Sequence, residues 1–199
     1  MIRYAIAALT LALFLTPVYG GEFNKKISIG DAAPTFSKLP AIDGKDYSLD
    51  SFKDKDVLVL VVTCNECPVA QDYQERIIAF ATKYTGDKSK VGFLAVNVNP
   101  GDDESLAKMK EHAKKNKFNF LYARDESQEL GRKLGASRTP ECFVFNKDRK
   151  LVYTGALDDS QTEPKVNYLE AAVEATLKGA KVEKAETRVR GCGIPYSQN

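Results

Sequence analysis

The sequence predicts an α/β fold in which helices cover both faces of a central mixed β-sheet. Apolar, strand-like segments alternate along the chain with segments whose apolar residues recur at helical spacing, an order typical of layered α/β domains. The series then ends in a predicted hairpin followed by one more helix. A hairpin adds antiparallel strands to a sheet whose other strands are joined by helices and run parallel, so a mixed sheet is expected.

The predicted elements can be assigned in chain order. Asp43-Gly44 marks a hairpin turn between short flanking segments. Residues 57–62 are all Val or Leu, which is typical of a strand buried on both faces. Further strands are predicted at 91–98, 118–122, 142–146 and 151–154, and helices at 68–84, 102–117, 128–134 and 166–177.

The two ends of the chain differ in composition from this middle part. Residues 1–20 combine Arg3, a small residue at the cleavage end and an apolar run shorter than the roughly 20 residues of a spanning helix. This pattern predicts a cleaved signal peptide and an exported protein, periplasmic or extracellular, with no membrane contact beyond that segment. Residues 21–28 are predicted as a flexible lead-in, 29–178 as one domain, and 179–199 as a polar, loosely ordered tail.

The composition argues against several classes of partner. Lys and Arg number 29 against 27 Asp and Glu, so the net charge of +2 does not favour nucleic acid or an anionic membrane as a partner. Apolar residues make up 43% of the chain, which is enough to build a core without disulfide support. Two of the four cysteines lie within four residues of each other, and this uneven placement favours at least one redox-active pair.

Residues 64–67, Cys-Asn-Glu-Cys, form the most informative motif. They lie between a predicted strand and a predicted helix, where free helix amides and the positive end of the helix dipole favour a thiolate. A haem site would need His after the second Cys, where Pro68 stands, and a zinc site would need a second close Cys pair. The motif therefore predicts a redox-active disulfide, Cys64–Cys67, with no other cofactor and no bound metal.

Each residue of this motif has an expected role. Cys64 is expected to be exposed and to attack as a thiolate of lowered pKa, and Cys67 is expected to resolve the mixed disulfide. Glu66 has two open interpretations. Its carboxylate modulates the pair by disfavouring the Cys64 thiolate, or it is simply a favourable acidic residue in the first helical turn.

The two other cysteines and the single histidine lie elsewhere in the sequence. Cys142 falls in a predicted strand, where a buried, inert thiol is expected. Cys192 stands between two glycines on the tail. Two roles are open for it: a third redox thiol, or a disulfide partner of Cys142. We expect Cys192 to visit the active-site region, where Cys64 is the other candidate partner. His112 is expected to be exposed on a lysine-rich helix face.

Several stretches together resemble the thioredoxin-fold redoxin group, also called the alkyl hydroperoxide reductase/thiol-specific antioxidant superfamily. The similarity covers residues 29–177, and the matching stretches are 30–36, 43–45, 48–53, 57–68, 125–128 and 135–141. The resemblance implies a three-layer thioredoxin-like fold. It also implies that Pro140 is cis, packs against the cysteine pair and, together with Thr139, presents backbone to an extended substrate peptide. The local sequence before a strand favours an ordinary trans bond instead.

Two departures from better-known members of this group bear on function. Thr63 occupies the place of the Trp that precedes the first Cys in thioredoxins proper, and the Pro-x-x-x-Thr-x-x-Cys pattern of peroxiredoxins is absent. We therefore expect an exported thiol–disulfide oxidoreductase that acts on protein or small-molecule thiols and disulfides, with an electron donor still to be identified. One alternative is a thiol peroxidase, in which Cys67 or Cys192 resolves and Arg138 helps to hold the Cys64 thiolate. The other is a copper- or zinc-binding module that uses Cys64 and Cys67.

Overall fold

The computed structural model describes residues 21–198, so the predicted signal peptide lies outside the described residues. The strands are β1 (Leu39–Pro40), β2 (Asp46–Tyr47), β3 (Val57–Thr63), β4 (Val91–Asn97), β5 (Tyr122–Arg124), β6 (Arg138–Thr139), β7 (Glu141–Phe145), β8 (Leu151–Gly155) and β9 (Cys192–Gly193). The α-helices are α1 (Pro68–Asp72), α2 (Gln74–Tyr84), α3 (Leu106–Lys115), α4 (Glu129–Leu134) and α5 (Tyr168–Leu177), with 3-10 turns at Leu49–Phe52 and Asp102–Glu104. No helix within residues 21–198 is long and apolar enough to cross a membrane.

The central sheet has five strands in the order β5-β4-β3-β7-β8. Strand β3 runs parallel to β4 and antiparallel to β7, so that Val59 lies opposite both Phe93 and Val144. Strands β4 and β5 are parallel, and β7 and β8 form the predicted antiparallel hairpin. The prediction of a mixed sheet is confirmed, with the all-apolar strand β3 at its centre.

Two hydrophobic cores lie on opposite faces of this sheet. The odd-numbered residues of β3 from 57 to 61 pack with side chains of α2, α3 and α5. The even-numbered residues pack with α4 and with the extended segment that precedes β1. Helices therefore cover both faces, as predicted, because the strictly alternating side chains of a central strand must be buried on each side.

The predicted helix 68–84 is interrupted at Tyr73. The Tyr73 N–H donates to the carbonyl of Ala70, three residues back, at 3.2 Å, which tightens the chain between α1 and α2. The ring of Tyr73 is buried, and its hydroxyl donates to Asp158 at 2.9 Å. This anchor explains why a single periodic pattern gives two helices.

The two chain ends that were predicted to be flexible pack against the domain. Asn24 is buried, and its side-chain amide donates to the carbonyl of Leu134 at 2.8 Å. In the tail, the hydroxyls of Thr187 and Tyr153 lie 2.7 Å apart, and β9 pairs with β6. The prediction of a flexible lead-in and a loosely ordered tail is therefore wrong, because their polar groups find hydrogen-bond partners at helix and strand ends of the domain.

Candidate active site

The Cys-x-x-Cys motif lies where the central strand meets the first helix, as the sequence predicts. Strand β3 ends at Thr63, and Cys67 is the N-cap residue of α1. The sulfur of Cys67 accepts a hydrogen bond from the N–H of Ala70 at 3.4 Å. Pro68 occupies the first helical position, where its missing N–H costs nothing.

Both thiols of the motif lie against the residue that precedes Pro140. The Cys64 sulfur is 3.2 Å from the Thr139 hydroxyl, and the Cys67 thiol donates to the Thr139 carbonyl at 3.4 Å. The Thr139–Pro140 peptide bond is cis. The cis bond that the family resemblance implied is confirmed, and the trans bond favoured by local sequence is wrong. The contact between this loop and the cysteines is made by Thr139.

Cys64 is not exposed, contrary to the expectation for the first cysteine of such a motif. Its exposed fraction is 2%, and that of Cys67 is 4%. The physical reason is that Cys64 continues directly from the buried strand β3, so its side chain points into the protein rather than out of the turn.

A third thiol joins this pair. Strand β9 pairs with β6 so that Cys192 lies opposite Thr139, and Cys192 packs against the cluster of Cys64, Cys67 and Ala70. The prediction that Cys192 reaches the active-site region is confirmed in its location.

Cys142 lies apart from this cluster. It is fully buried in β7, opposite Val61 and Gly155, and belongs to the large core on one face of the sheet. The geometry therefore does not support a disulfide between Cys142 and Cys192. Cys142 is buried, as expected from the sequence. Burial raises the pKa of Cys142, which keeps the thiol protonated and inert.

A buried carboxylate that the sequence did not single out holds the turn between the two cysteines. Glu104 is 3% exposed and accepts hydrogen bonds from the N–H groups of Asn65 at 2.8 Å and Glu66 at 3.2 Å. It also accepts from the side-chain amide of Asn97 at 2.6 Å. Glu66 itself is exposed. In the sequence Glu104 is one of three consecutive acidic residues that indicate only a helix start, and nothing local distinguishes the buried one.

The pKa values of the two thiols shift in opposite directions, contrary to the expectation of a lowered pKa for Cys64. Burial raises the pKa of Cys64 to about 12; the Thr139 hydroxyl opposes this rise and the Glu104 charge adds to it. Burial also acts to raise the pKa of Cys67, but hydrogen bonds with the Cys192 thiol, the Ala70 N–H and the Thr139 side chain leave that pKa lowered. These directions make Cys67 the more acidic thiol. Glu104 binds two of the turn amides, while the Cys67 N–H still acts to lower the pKa of Cys64, whose rise is mainly the result of burial.

Arg138 and Glu141 hold the loop that carries Thr139. The guanidinium of Arg138 is exposed and donates to the carbonyl of Gly191 at 2.7 Å, so it binds the tail rather than the Cys64 thiolate. Glu141 is buried and accepts from the N–H of Ser137 at 2.8 Å, and burial raises the pKa of Glu141 to about 7. The expected contact between Arg138 and Cys64 is therefore corrected to a contact with strand β9.

His112 is half-buried rather than exposed. Its Nε2 lies 2.6 Å from the side-chain nitrogen of Gln74, and its ring packs edge-on against Phe118. Burial lowers the pKa of His112. Across residues 21–198, no group of three or more His, Cys, Asp or Glu side chains is placed to hold a metal ion.

The chain belongs to the Redoxin family, whose model matches residues 28–173. It is similar to a hypothetical protein from Sinorhizobium meliloti 1021, with 31% identity and a TM-score of 0.80 over 88% of this chain and 98% of that one. It is also similar to an uncharacterized conserved protein from Geobacillus kaustophilus, with 30% identity and a TM-score of 0.79 over 86% of this chain and 94% of that one. No curated protein matches the chain.

More distant structures share the fold alone. One is the C-terminal domain of a putative thiol-disulfide oxidoreductase from Bacteroides thetaiotaomicron, at 19% identity and a TM-score of 0.59, which covers 77% of this chain and 98% of that one. The three-layer thioredoxin-like fold is thereby confirmed. Family membership and fold together support a thiol-based redox function, carried out by an oxidoreductase in the general sense.

Proposed function

We propose that the chain is a thiol–disulfide oxidoreductase that works through the Cys64–Cys67 pair. The observation that carries this proposal is the meeting of both sulfurs at Thr139, directly before the cis peptide bond to Pro140. Two thiols three residues apart can close a small disulfide ring. The short strand β6 beside them offers the backbone N–H and C=O groups on which an extended peptide can form a β-pairing.

The pKa order assigns the steps of the reductive half-reaction. The Cys67 thiolate attacks one sulfur of the substrate disulfide, forming a mixed disulfide and releasing the other sulfur as a thiolate. That leaving thiolate, or solvent, takes the proton of Cys64. The sulfur of Cys64 then attacks the Cys67 sulfur, closing the Cys64–Cys67 disulfide and releasing the second substrate thiol. Two electrons and two protons pass from the protein to the substrate, and a separate thiol donor must restore the dithiol.

A protein substrate must displace strand β9 before it reaches the pair. Both sulfurs are almost fully buried, and β9 occupies the edge of β6. The Cys192 segment, an extended stretch that carries a cysteine and pairs with this edge, supports the proposal of a substrate of similar form. The proposed substrates are therefore protein disulfides in extended segments, or small disulfides that enter without displacing β9.

The reduction of insulin disulfides tests this proposal. Cys67→Ser should lose catalytic turnover because it lacks the attacking sulfur, and Cys64→Ser should turn over more slowly because it lacks the buried thiol proposed to resolve the mixed disulfide. Cys142→Ala is the matched control, since it also removes one buried cysteine but lies outside the cluster. Circular dichroism confirms that each variant is folded. Full activity in folded Cys67→Ser and Cys64→Ser variants would contradict the assignment.

A thiol peroxidase is the second candidate function, and the burial of the thiols favours it. Hydrogen peroxide is small enough to reach Cys67 without displacing β9, and the lowered pKa of Cys67 suits a thiolate that attacks peroxide. The attack would give water and a Cys67 sulfenic acid, which Cys64 or Cys192 would condense to a disulfide. Arg138 does not contribute here, because it contacts Gly191.

Stopped-flow mixing of the reduced protein with hydrogen peroxide separates the two candidates. A second-order rate far above that of a free thiol of similar pKa would favour the peroxidase. A rate no higher than that of the free thiol would leave thiol–disulfide exchange as the function. The Cys67→Ser variant reports the background from the other cysteines.

Export to the periplasm or outside the cell is part of the proposal. It rests on the signal-peptide pattern of residues 1–20. Mass spectrometry of the protein recovered from cell fractions would identify the mature N-terminus. Recovery of the full-length chain from the cytoplasm alone would contradict export.

A further inference from the structure

Strand β9 places the third thiol in contact with the sulfur that has the lower pKa. Cys192 lies opposite Thr139 in the antiparallel pair formed by β6 and β9. Cys192 packs against the cluster of Cys64, Cys67 and Ala70, and hydrogen bonding with the Cys192 thiol and backbone acts to lower the pKa of the Cys67 thiol. Cys192 is only partly buried, so it is the member of the cluster that solvent can reach.

The tail is anchored on both sides of Cys192. Before it, the carbonyl of Gly191 accepts from Arg138 at 2.7 Å. After it, the N–H of Ile194 donates to the carbonyl of Ser137 at 3.0 Å, and the Tyr196 hydroxyl donates to the carbonyl of Ala136 at 2.8 Å. These contacts hold β9 in one register, so the approach of Cys192 to Cys67 is built into the fold.

Gly191 is required for this close approach. Its φ is +142°, a conformation that L-residues with a side chain rarely adopt. A Cβ at Gly191 would lie 2.0 Å from the carbonyl oxygen of Thr139, whereas a Cβ at Gly193 would meet no heavy atom within 4 Å. The two glycines that flank Cys192 thus differ. Gly191 is needed for β9 to pair closely with β6, whereas Gly193 has room for a side chain.

We propose that Cys192 is a resolving thiol that forms an intrachain disulfide with Cys67. This inference rests on the proposed function, because it gives Cys67 a second partner beside Cys64. In the first step the Cys67 thiolate attacks a disulfide and forms a mixed disulfide, and one substrate thiolate leaves. In the second step Cys192 loses its proton to solvent or to that thiolate and attacks the Cys67 sulfur. The second substrate thiol leaves, and the two cysteines together lose two electrons to the substrate.

In this arrangement Cys192 gives redox partners at the protein surface access to the buried cysteine pair. Cys64 and Cys67 are inaccessible to a bulky redox partner while β9 is seated, but Cys192 is not. Thiol–disulfide exchange can convert the Cys64–Cys67 disulfide into a Cys67–Cys192 disulfide. One sulfur of the disulfide then belongs to the tail. A thiol donor can then reduce the protein at Cys192 without entering the site.

Titration of the reduced mature chain with oxidised glutathione, followed by peptide mapping, tests the proposal. In Cys64→Ser, Cys67 can only be resolved by Cys192, so the Cys67–Cys192 disulfide should form. In Cys64→Ser/Cys192→Ser, the glutathione adduct should accumulate on Cys67. Because a tethered thiol acts at an effective concentration on the order of millimolar, the adduct should be about tenfold less abundant in the single variant. Equal adduct levels in the two variants would overturn the proposal.

The two glycines provide a matched pair of controls. Adding Gly191→Ala to Cys64→Ser should raise the adduct towards the level of the double cysteine variant, although both Cys67 and Cys192 are present. Adding Gly193→Ala should leave the adduct low. If Gly191→Ala has no more effect than Gly193→Ala, the pairing of β9 with β6 is not what brings the thiols together, and the proposal fails.

The outcomes also separate this inference from the proposed function. One outcome is that the wild type does not reduce insulin, while the Cys67–Cys192 disulfide still forms in Cys64→Ser. That outcome would overturn the proposed function and support a redox role for Cys192. Normal insulin reduction with equal adduct levels would overturn only the role of Cys192. No adduct on Cys67 in the double variant would overturn both, because Cys67 would then not react with disulfides.

Discussion

Cys64 and Cys67 lie at the two ends of one turn and are both almost inaccessible to solvent, but Cys64 is the more deeply enclosed by protein, and the pKa values of their thiols move in opposite directions. At the strand end, burial raises the pKa of Cys64 to about 12, and the carboxylate of Glu104 adds to the rise. At the helix end, burial acts in the same sense on Cys67, but hydrogen bonds with Cys192, the Ala70 N–H and the Thr139 side chain outweigh it and lower the pKa. The acidity of these thiols therefore depends on how deeply each sulfur is buried and on the donors and charges that it faces.

Cys142 supplies a reference for this comparison. It is fully buried, and its pKa is raised by burial, with the charges of Glu141 and Asp158 adding to the effect. Burial is the largest cause of the raised pKa in Cys64 as well. The first cysteine of a Cys-x-x-Cys motif thus need not have the lower pKa, because the depth of each sulfur and the groups around it set the order.

The largest expected effect is the difference in alkylation rate between the two ends of the turn. Iodoacetamide at about pH 8 should modify Cys67 roughly a hundredfold faster than Cys64 in the reduced protein, because the thiolate fraction falls with rising pKa and intrinsic nucleophilicity offsets only part of that. Peptide mapping over time measures both rates. Equal rates, or faster modification of Cys64, would contradict the pKa order.

A smaller effect is expected from the carboxylate beside Cys64. Glu104→Gln removes a negative charge and should lower the Cys64 pKa, so that Cys64 is alkylated about tenfold faster at a pH below that pKa, which corresponds to one pKa unit. Glu66→Gln is the matched control, because Glu66 is also close in sequence but exposed. An equal response in the two variants would show that burial of the Glu104 charge is not what raises the Cys64 pKa.

The smallest effect is expected from the donor on the tail. Cys192→Ala removes a hydrogen bond that lowers the Cys67 pKa, so that pKa should rise. At a pH below the pKa, the thiolate fraction and the alkylation rate of Cys67 should fall about fivefold, less than one pKa unit. The pH dependence of the alkylation rate measures the shift, with Cys142→Ala as the control. A Cys67 profile that Cys192→Ala leaves unchanged would mean that Cys192 does not donate to Cys67.

Local sequence patterns were sufficient for the sheet and the cysteine pair. The apolar run of β3 requires burial on both faces, and the adjacent Cys-x-x-Cys then falls at a strand-to-helix junction. The cis bond at Pro140 came only from the family resemblance, since a proline before a strand permits either isomer. The helix break at Tyr73 was missed, because its cause is a hydrogen bond to Asp158, which is distant in the sequence.

The sequence by itself determined that this protein has a mixed sheet with covered faces and a dithiol at the end of its central strand. Those features depend on the alternation of apolar residues and on spacing along the chain. Only the tertiary structure decided how deeply each thiol is buried and which residues surround it. Glu104 and Cys192 both lie far from the motif along the chain, and their approach to the turn depends on side-chain and strand contacts between distant segments. The polar composition of the tail predicts a loosely ordered segment. A β-pairing, however, needs only backbone groups in the right register, and composition does not specify that register.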